Sequence, residues 1–296
     1  MSQLEDMQIF VSTVDAGSFT AAADKLGLSK QFISRRVMAL EERLGGRLLI
    51  RTTRKLSVTD TGRAYYERAL KIIDEVNDAE QLVSSESTSP RGTLRISAPV
   101  SFGTLHLGPA IARFMTQCPD VSIELDLSDR FVDIVGEGYD MAIRIGHLAD
   151  SSLVARHIAP AQMVTCASPA YLKAHGEPKT PHDLKGHECL LYGHARGVEW
   201  VFAEKGKPLR VPVKGRMRAN NGELSCSAAI EGLGIILLPT FIVGEALRAK
   251  KLVTILEAYA PPPLNIYAVY PQHRQSSQAV KVFSDFLRST FGKTSF

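Results

Sequence analysis

Five polar side chains near the N-terminus share one helical neighbourhood: Ser29, Lys30, Gln31, Ser34 and Arg35. They offer hydrogen-bond donors and positive charge, the chemistry that reads base edges and phosphates of duplex DNA. A second basic group, Arg47, Arg51, Arg54 and Lys55, follows closely. Residues 25–63 hold ten Lys/Arg against Glu41, Glu42 and Asp60, a net +7, whereas residues 64–90 hold two against six acids, a net −4. A basic block beside an acidic one points to a module that binds a polyanion.

The elements that must carry these residues are legible from period and punctuation. Leu4, Met7, Phe10, Val11 and Val14 recur at helical spacing, and Gly17 ends that helix. Ser18 suits the N-cap of a second helix over 19–26, and Gly27-Leu28 makes a tight turn. Ser29 then caps a third helix running to about residue 44, with Gly45 as its stop and Phe32, Ile33, Val37, Leu40 and Leu44 as its buried stripe. Two helices joined by a short turn make a helix-turn-helix whose second helix presents its N-terminal half to a major groove. Residues 47–59 alternate apolar and polar around Thr52-Thr53-Arg54, as a small basic hairpin, or wing, does. The same three helices would also serve a small domain that binds protein.

From residue 60 to 83 there is no proline, and Tyr65, Ala69, Ile72, Val76, Ala79 and Val83 are spaced 4-3-4-3-4. That heptad seam suits a helix of ~36 Å that either pairs with a second copy or packs on its own domain. Residues 84–92, rich in Ser with Pro90 and Gly92, read as a hinge-like linker.

The pattern Phe19-Thr20-Ala21-Ala22-Ala23-x-x-Leu26-x-Leu28-Ser29, then Ser34-Arg35-x-Val37-x-x-Leu40-Glu41-x-x-Leu44-Gly45, Leu48-x-x-Arg51-x-x-Arg54 and Val58-Thr59-x-x-Gly62, resembles the winged helix-turn-helix of LysR-type transcriptional regulators. Gly46 and Leu49 depart from the family's usual aliphatic residue and Phe, away from the DNA face. The resemblance implies DNA contacts from Ser29, Lys30, Gln31, Ser34, Arg35 and Arg51, with Arg54 on the wing. It also makes Tyr65, Ala69, Ile72, Val76, Ala79 and Val83 an intersubunit seam, with dimers pairing into tetramers. The implied partners are double-stranded promoter DNA, a small organic effector, further copies of the chain, and RNA polymerase.

The remaining two-thirds alternate strand-like segments (94–97, 121–127, 141–145, 235–238, 267–270) with helix-like ones (104–117, 131–135, 279–287), an α/β order. Leu94-Arg95-Ile96, Pro169-x-Tyr171-Leu172, Asp183-Leu184, Gly232-Leu233-Gly234-Ile235 and Leu238-Pro239 extend the resemblance into LysR-type effector domains. The expected fold is thus α/β overall. An all-α winged helix-turn-helix (1–59) leads through a long linker helix and hinge (60–90) to a two-lobed, periplasmic-binding-protein-like effector domain (91–296). Lobe I would take 91–161 and 268–296, and lobe II 162–267. Ligands in such folds sit beyond strand C-terminal ends and near helix N-termini. That rule nominates Ser97, Pro99, Ser101, Phe102, Gly103, Arg144, Gly146, Asn220 and Asn221 for the cleft, with the amides of Gly103 and Thr104 open to an anion. Tyr192, Trp200 or Phe202 would be aromatic neighbours, and a small carboxylate, aliphatic or aromatic, would be the effector.

Length and composition agree: 296 residues with 45% hydrophobic and 22% charged exclude a disordered or low-complexity chain. No run of ~18 apolar residues offers a membrane span, and the acidic N-terminus lacks a signal-peptide core, so a cytoplasmic location is expected. Cys118, Cys166, Cys189 and Cys226 are far apart, as free thiols in a reducing compartment would be. His182, His187, Cys189 and His194 follow a 5-2-5 spacing that matches no common zinc pattern, so no metal or cofactor is expected. No G-x-S-x-G, P-loop or H-E-x-x-H motif supports an enzyme. The rival readings are a cytoplasmic solute sensor acting through a protein partner, and a redox-sensing regulator using Cys226.

Overall fold

The computed structural model describes residues 2–51, 56–83, 89–148, 151–193, 198–292 and 296; for residues 51, 74, 77, 78 and 81–83 it describes the backbone. The chain divides into two compact units, Met1–Thr88 and Ser89–Phe296.

The first unit runs α1 (Gln3–Ala16), α2 (Phe19–Leu26), α3 (Lys30–Leu44), a hairpin of β1 (Leu49–Arg51) and β2 (Leu56–Val58), and α4 (Asp60–Val83). Serines cap the first three helices: Ser2, Ser18 and Ser29 accept from the amides of Glu5, Ala21 and Phe32. Gly27, at φ 65°, closes α2 in the left-handed region and turns the chain into the cap of α3. The core joins Phe10 of α1 to Ile33, Val37 and Leu40 of α3 and to Leu48. Leu44, expected in that stripe, is 42% exposed; the stripe ends one turn earlier, at Leu40.

Ion pairing fixes how α1 meets α3. Asp6, 8% exposed, pairs with Arg36, and Arg43 stands 3.9 Å from its other oxygen. The wing is anchored next. The Glu41 carboxylate accepts from the amides of Leu48 (2.8 Å) and Leu49 (2.9 Å). The Thr59 hydroxyl donates to the Arg47 carbonyl at 2.8 Å and accepts from the Gly62 amide at 2.9 Å.

The second unit starts with β3 (Gly92–Ala98), then α5 (Val100–Phe102), which passes through a widened turn at Gly103–Leu107 into α6 (Gly108–Gln117). The expected 104–117 helix therefore begins earlier and contains a π-type turn. Then come β4 (Val121–Leu127), β5 (Met141–Ile145), β6 (Leu153–Ala161), β7 (Met163–Ala167), α7 (Pro169–His175), β8 (Leu191–Tyr192), β9 (Val198–Glu204), β10 (Lys207–Val213) and β11 (Arg218–Ala219). The unit closes with α8 (Gly222–Ile230), β12 (Ile236–Pro239), α9 (Thr240–Arg248), β13 (Val253–Ile255), β14 (Leu264–Pro271) and α10 (Gln278–Phe291).

One lobe is built on a sheet of order β4-β3-β5-β14-β6, parallel among β3, β4 and β5 and antiparallel where β14 joins. The other holds the antiparallel sheet β12-β7-β13, the β9–β10 hairpin and the parallel pair β8–β11. Leu264 pairs with Ala161, so residues 264–267 belong to the first lobe's sheet, four residues before the boundary expected from sequence.

The expected helix at 131–135 is absent; a turn occupies 134–138. Polar side chains take over its backbone groups. Asp133 Oδ1 accepts from the Gly136 amide at 3.0 Å, and Glu137 Oε1 accepts from the Asp133 amide at 2.9 Å. Short acidic side chains that bind nearby backbone compete with the helical ladder in this way.

Gly62 carries the closest approach in the first unit: a Cβ there would lie 2.0 Å from the Leu48 carbonyl oxygen. Gly62→Ala should therefore cost about 1–3 kcal/mol, seen as a lower midpoint when urea unfolding of α1–α4 is followed by circular dichroism. An unchanged midpoint would mean that α4 and the wing can part freely.

Candidate functional site

In the first unit, the caps and the Asp6 pairing decide which polar groups reach solvent. Ser29, Lys30, Gln31 and Arg35 are exposed on the first two turns of α3. Ser34 is half-buried among them. The Ser29 hydroxyl is spent on the Phe32 amide at 3.2 Å, so its part is to start the helix. Arg36 and Arg43 belong to the Asp6 pairing, so the outward cations of α3's first half are Lys30 and Arg35. Arg51 lies on β1 opposite Leu56, with its side chain outside the described residues, as is Arg54.

The heptad positions of α4 split in two. Ala69 is 1% exposed inside the unit's own core, and the Tyr65 ring meets Phe10 edge-on at 5.5 Å. These two positions are spent within the chain, the alternative that the spacing left open, where the resemblance to LysR-type regulators implied an intersubunit seam. Ile72 is 41% exposed, Val76 half-buried and Ala79 exposed; the Val83 side chain lies outside the described residues.

In the second unit a cavity of about 520 Å³ opens between the lobes. Five of the nine expected residues line it: Pro99, Ser101, Phe102, Arg144 and Asn220. Ser97, Gly103, Gly146 and Asn221 do not. Ser97 is fully buried in β3. The Gly103 amide donates to the Pro99 carbonyl at 2.8 Å, and a Cβ at Gly103 would strike Leu127, so no anion meets that amide. The Gly146 amide donates to the Asn265 carbonyl at 2.9 Å. Asn221 caps α8 by accepting from the Leu224 amide at 2.8 Å. Of the aromatic candidates, Tyr192 reaches the cavity, whereas Trp200 and Phe202 are core residues at 6% and 0% exposure.

Sequence reasoning missed the segment after β4: Ser128, Asp129, Arg130 and Phe131 all line the cavity. The strand-end rule that nominated Ser101 applies equally to β4, but the expected helix at 131–135 hid the loop. The apolar wall, Met163, Leu237, Leu238, Phe241, Ile242 and Leu264, was likewise unmarked.

Charge in the cavity is unevenly committed. Arg130 makes two hydrogen bonds to Glu137, one of them 2.8 Å, and this pairing pulls the Glu137 carboxyl down to about 2. Arg144 is different. Its Nη1 donates at 3.2 Å to the neighbouring Ile143 carbonyl, while its buried Nη2 has no hydrogen-bond partner among the described residues. The Phe131 ring, 86% exposed, stands 5.8 Å from the guanidinium carbon. Burial, then the charge of Arg130, lowers the Arg144 pKa. Burial and the facing Asp129 carboxylate push the Tyr192 phenol up to about 12. A desolvated cation with an open donor beside apolar walls can hold one acidic group of a small molecule.

Elsewhere in this unit, His187 Nδ1 is bonded to the Tyr171 hydroxyl at 3.2 Å, Cys189 is buried, and His194 lies outside the described residues. Cys226 packs with Cys166 in an apolar cluster, and burial raises both thiols, which disfavours a reactive thiolate at Cys226. Among the described residues no helix is long and apolar enough to cross a membrane.

Comparison with known proteins matches both units. Residues 4–63 fit the bacterial regulatory helix-turn-helix of the LysR family, and residues 87–292 fit the LysR substrate binding domain. The chain is 37% identical to the uncharacterized HTH-type transcriptional regulator YhjC of Escherichia coli, over 97% of each chain. It is 36% identical to the HTH-type transcriptional regulator PtxR of Pseudomonas aeruginosa, over 99% of this chain and 94% of that one. The solved structure of CrgA, a LysR-type transcriptional regulator from Neisseria meningitidis, superposes with a TM-score of 0.63 at 32% identity, covering 99% of this chain and 100% of that one. A helix-turn-helix with a hairpin, and a two-lobed domain around a cavity, thus stand in one chain that belongs to the LysR family of transcriptional regulators.

Proposed function

We propose that this regulator binds a two-fold promoter site through the exposed face of α3 and the wing, and that a small carboxylate in the inter-lobe cavity sets its DNA binding or activity. The observation that carries the effector reading is the open donor of Arg144. A buried guanidinium nitrogen without an acceptor costs stability unless a ligand supplies one. Ser101 and Asn220 lie on the same cavity and offer further hydrogen bonds to the acidic group.

On the DNA side, Lys30, Gln31 and Arg35 supply the donors and cations that base edges and phosphates require. Dimerisation would use the free half of the α4 seam, Ile72, Val76 and Ala79. Two recognition helices then meet half-sites about one DNA turn, ~34 Å, apart. The effector acts only through a difference in its affinity for the two states of the protein.

Arg35→Ala should weaken binding to a duplex selected from a random library by the wild-type protein, by about 1–3 kcal/mol, with unchanged circular dichroism. An unaltered footprint would move the reading face away from α3. Arg144→Met should act in two directions. The ligand-free protein should melt higher, by roughly 2–4 °C for each kcal/mol of relieved desolvation. The thermal shift produced by carboxylates should vanish. A variant that melts lower and still responds would remove Arg144 from the site.

A further inference from the structure

We propose that the cavity selects ligands with one negative charge and an apolar body, and that Asp129 enforces the single charge; this rests on the carboxylate-binding cleft proposed above. Three charged side chains line the cavity among the described residues: Arg130, Arg144 and Asp129. Arg130 is already matched by Glu137. Arg144 alone of the three keeps a buried donor without a partner among the described residues, so one acidic group finds a cation.

A second acidic group would find none. Much of the remaining wall is hydrocarbon, from Met163, Leu237, Leu238, Ile242 and Leu264. An ion placed against it loses its hydration with nothing in exchange. The polar rim offers no refuge, because Asp129 stands there with its own negative charge. That carboxylate is held by the first lobe and faces the second. Its Oδ1 accepts from the Val100 amide at 3.1 Å in the first lobe, and the Tyr192 hydroxyl of the second lobe faces it. Rejection by a fixed like charge is a common route to specificity. The apolar wall rewards a ligand whose body is hydrocarbon, since burial of that surface drives binding.

The test is calorimetric titration of the full-length chain with pairs matched in body and differing in charge: octanoate against suberate, and phenylacetate against 1,4-phenylenediacetate. The monocarboxylates should saturate, and the dicarboxylates should bind at least ~10-fold more weakly. Asp129→Asn keeps an acceptor for the Val100 amide and should shrink that ratio to within ~3-fold, while Arg144→Gln should abolish binding of both series. Equal affinity for the two series in the wild type, with binding still lost in Arg144→Gln, would overturn the single-charge selection and leave the cleft reading standing. A ratio unchanged in Asp129→Asn would remove Asp129 from that role. Tighter binding of 2-aminooctanoate than of octanoate would make Asp129 an ammonium acceptor and overturn its role as excluder. Monocarboxylate binding indifferent to Arg144→Gln, or no binding of either series, would overturn the cleft reading as well.

Discussion

The cleft hangs on one buried carboxylate. Asp140, 6% exposed, accepts from the Arg95 amide of β3 at 2.8 Å and pairs with Arg274 at 2.8 Å. It sits directly before β5, the strand that ends in Arg144 and Ile145, and directly after the loop that carries Asp129, Arg130 and Phe131. A single side chain thus ties down the strand that carries the cavity-lining Arg144 and the loop that forms the rim. Arg274 lies just past β14, so the same pairing joins both edges of β5 to the rim. A buried ion pair is a weak source of net stability, because desolvation offsets much of its attraction. Its value here is geometric: the Arg95 amide and the Arg274 guanidinium converge on one carboxylate, which ties β3 and the end of β14 to the start of β5.

Cations in this protein divide into those that hold the fold and those left to bind. Arg36 and Arg43 are absorbed by Asp6, Arg130 by Glu137, and Arg274 by Asp140. Lys30 and Arg35 remain exposed on α3, and Arg144, which lines the cavity, keeps a buried Nη2 without a hydrogen-bond partner among the described residues. The net charge of residues 25–63 therefore overstates what DNA can meet, since part of it is spent on an acid at residue 6. The partner of a cation, more than its presence, decides its use, and the partner is set by tertiary contact.

That distinction also explains what the sequence could and could not carry. Serine caps and glycine stops are local, so α1, α2 and α3 are readable almost to the residue. The hairpin reads from alternation, and the long helix from its heptads. The use of those heptads does not, because Tyr65 and Ala69 are claimed by Phe10 and its neighbours, more than fifty positions away in sequence. The cavity residues on strand ends, Ser101 and Arg144, follow from a general rule of α/β folds. Gly103 and Asn221 satisfy the same rule, but their polar groups are consumed by backbone neighbours. The loop after β4 was lost because Asp133 and Glu137 capture backbone amides that a helix would have needed.

An effector cavity in a regulator must not be satisfied without its effector. Were Arg144 paired as Arg130 is, a carboxylate would have to displace an existing partner, and the gain on binding would shrink to the difference between two ion pairs. An Nη2 with no acid partner, on a guanidinium that stands over the Phe131 ring, would keep the whole interaction for a ligand. The cost is borne by the ligand-free state, whose stability is lowered by a desolvated charge. The same imbalance serves signalling. A ligand shifts a two-state equilibrium only by its differential affinity, and an unsatisfied cation at the junction of two lobes makes that affinity depend on how the lobes meet. The apolar surface of Met163, Leu237 and Leu238 belongs to one lobe's sheet and Arg144 to the other's. A ligand whose charge met Arg144 and whose hydrocarbon reached Leu237 and Leu238 would touch both lobes. In the function proposed above, that division of labour would couple lobe position to ligand binding.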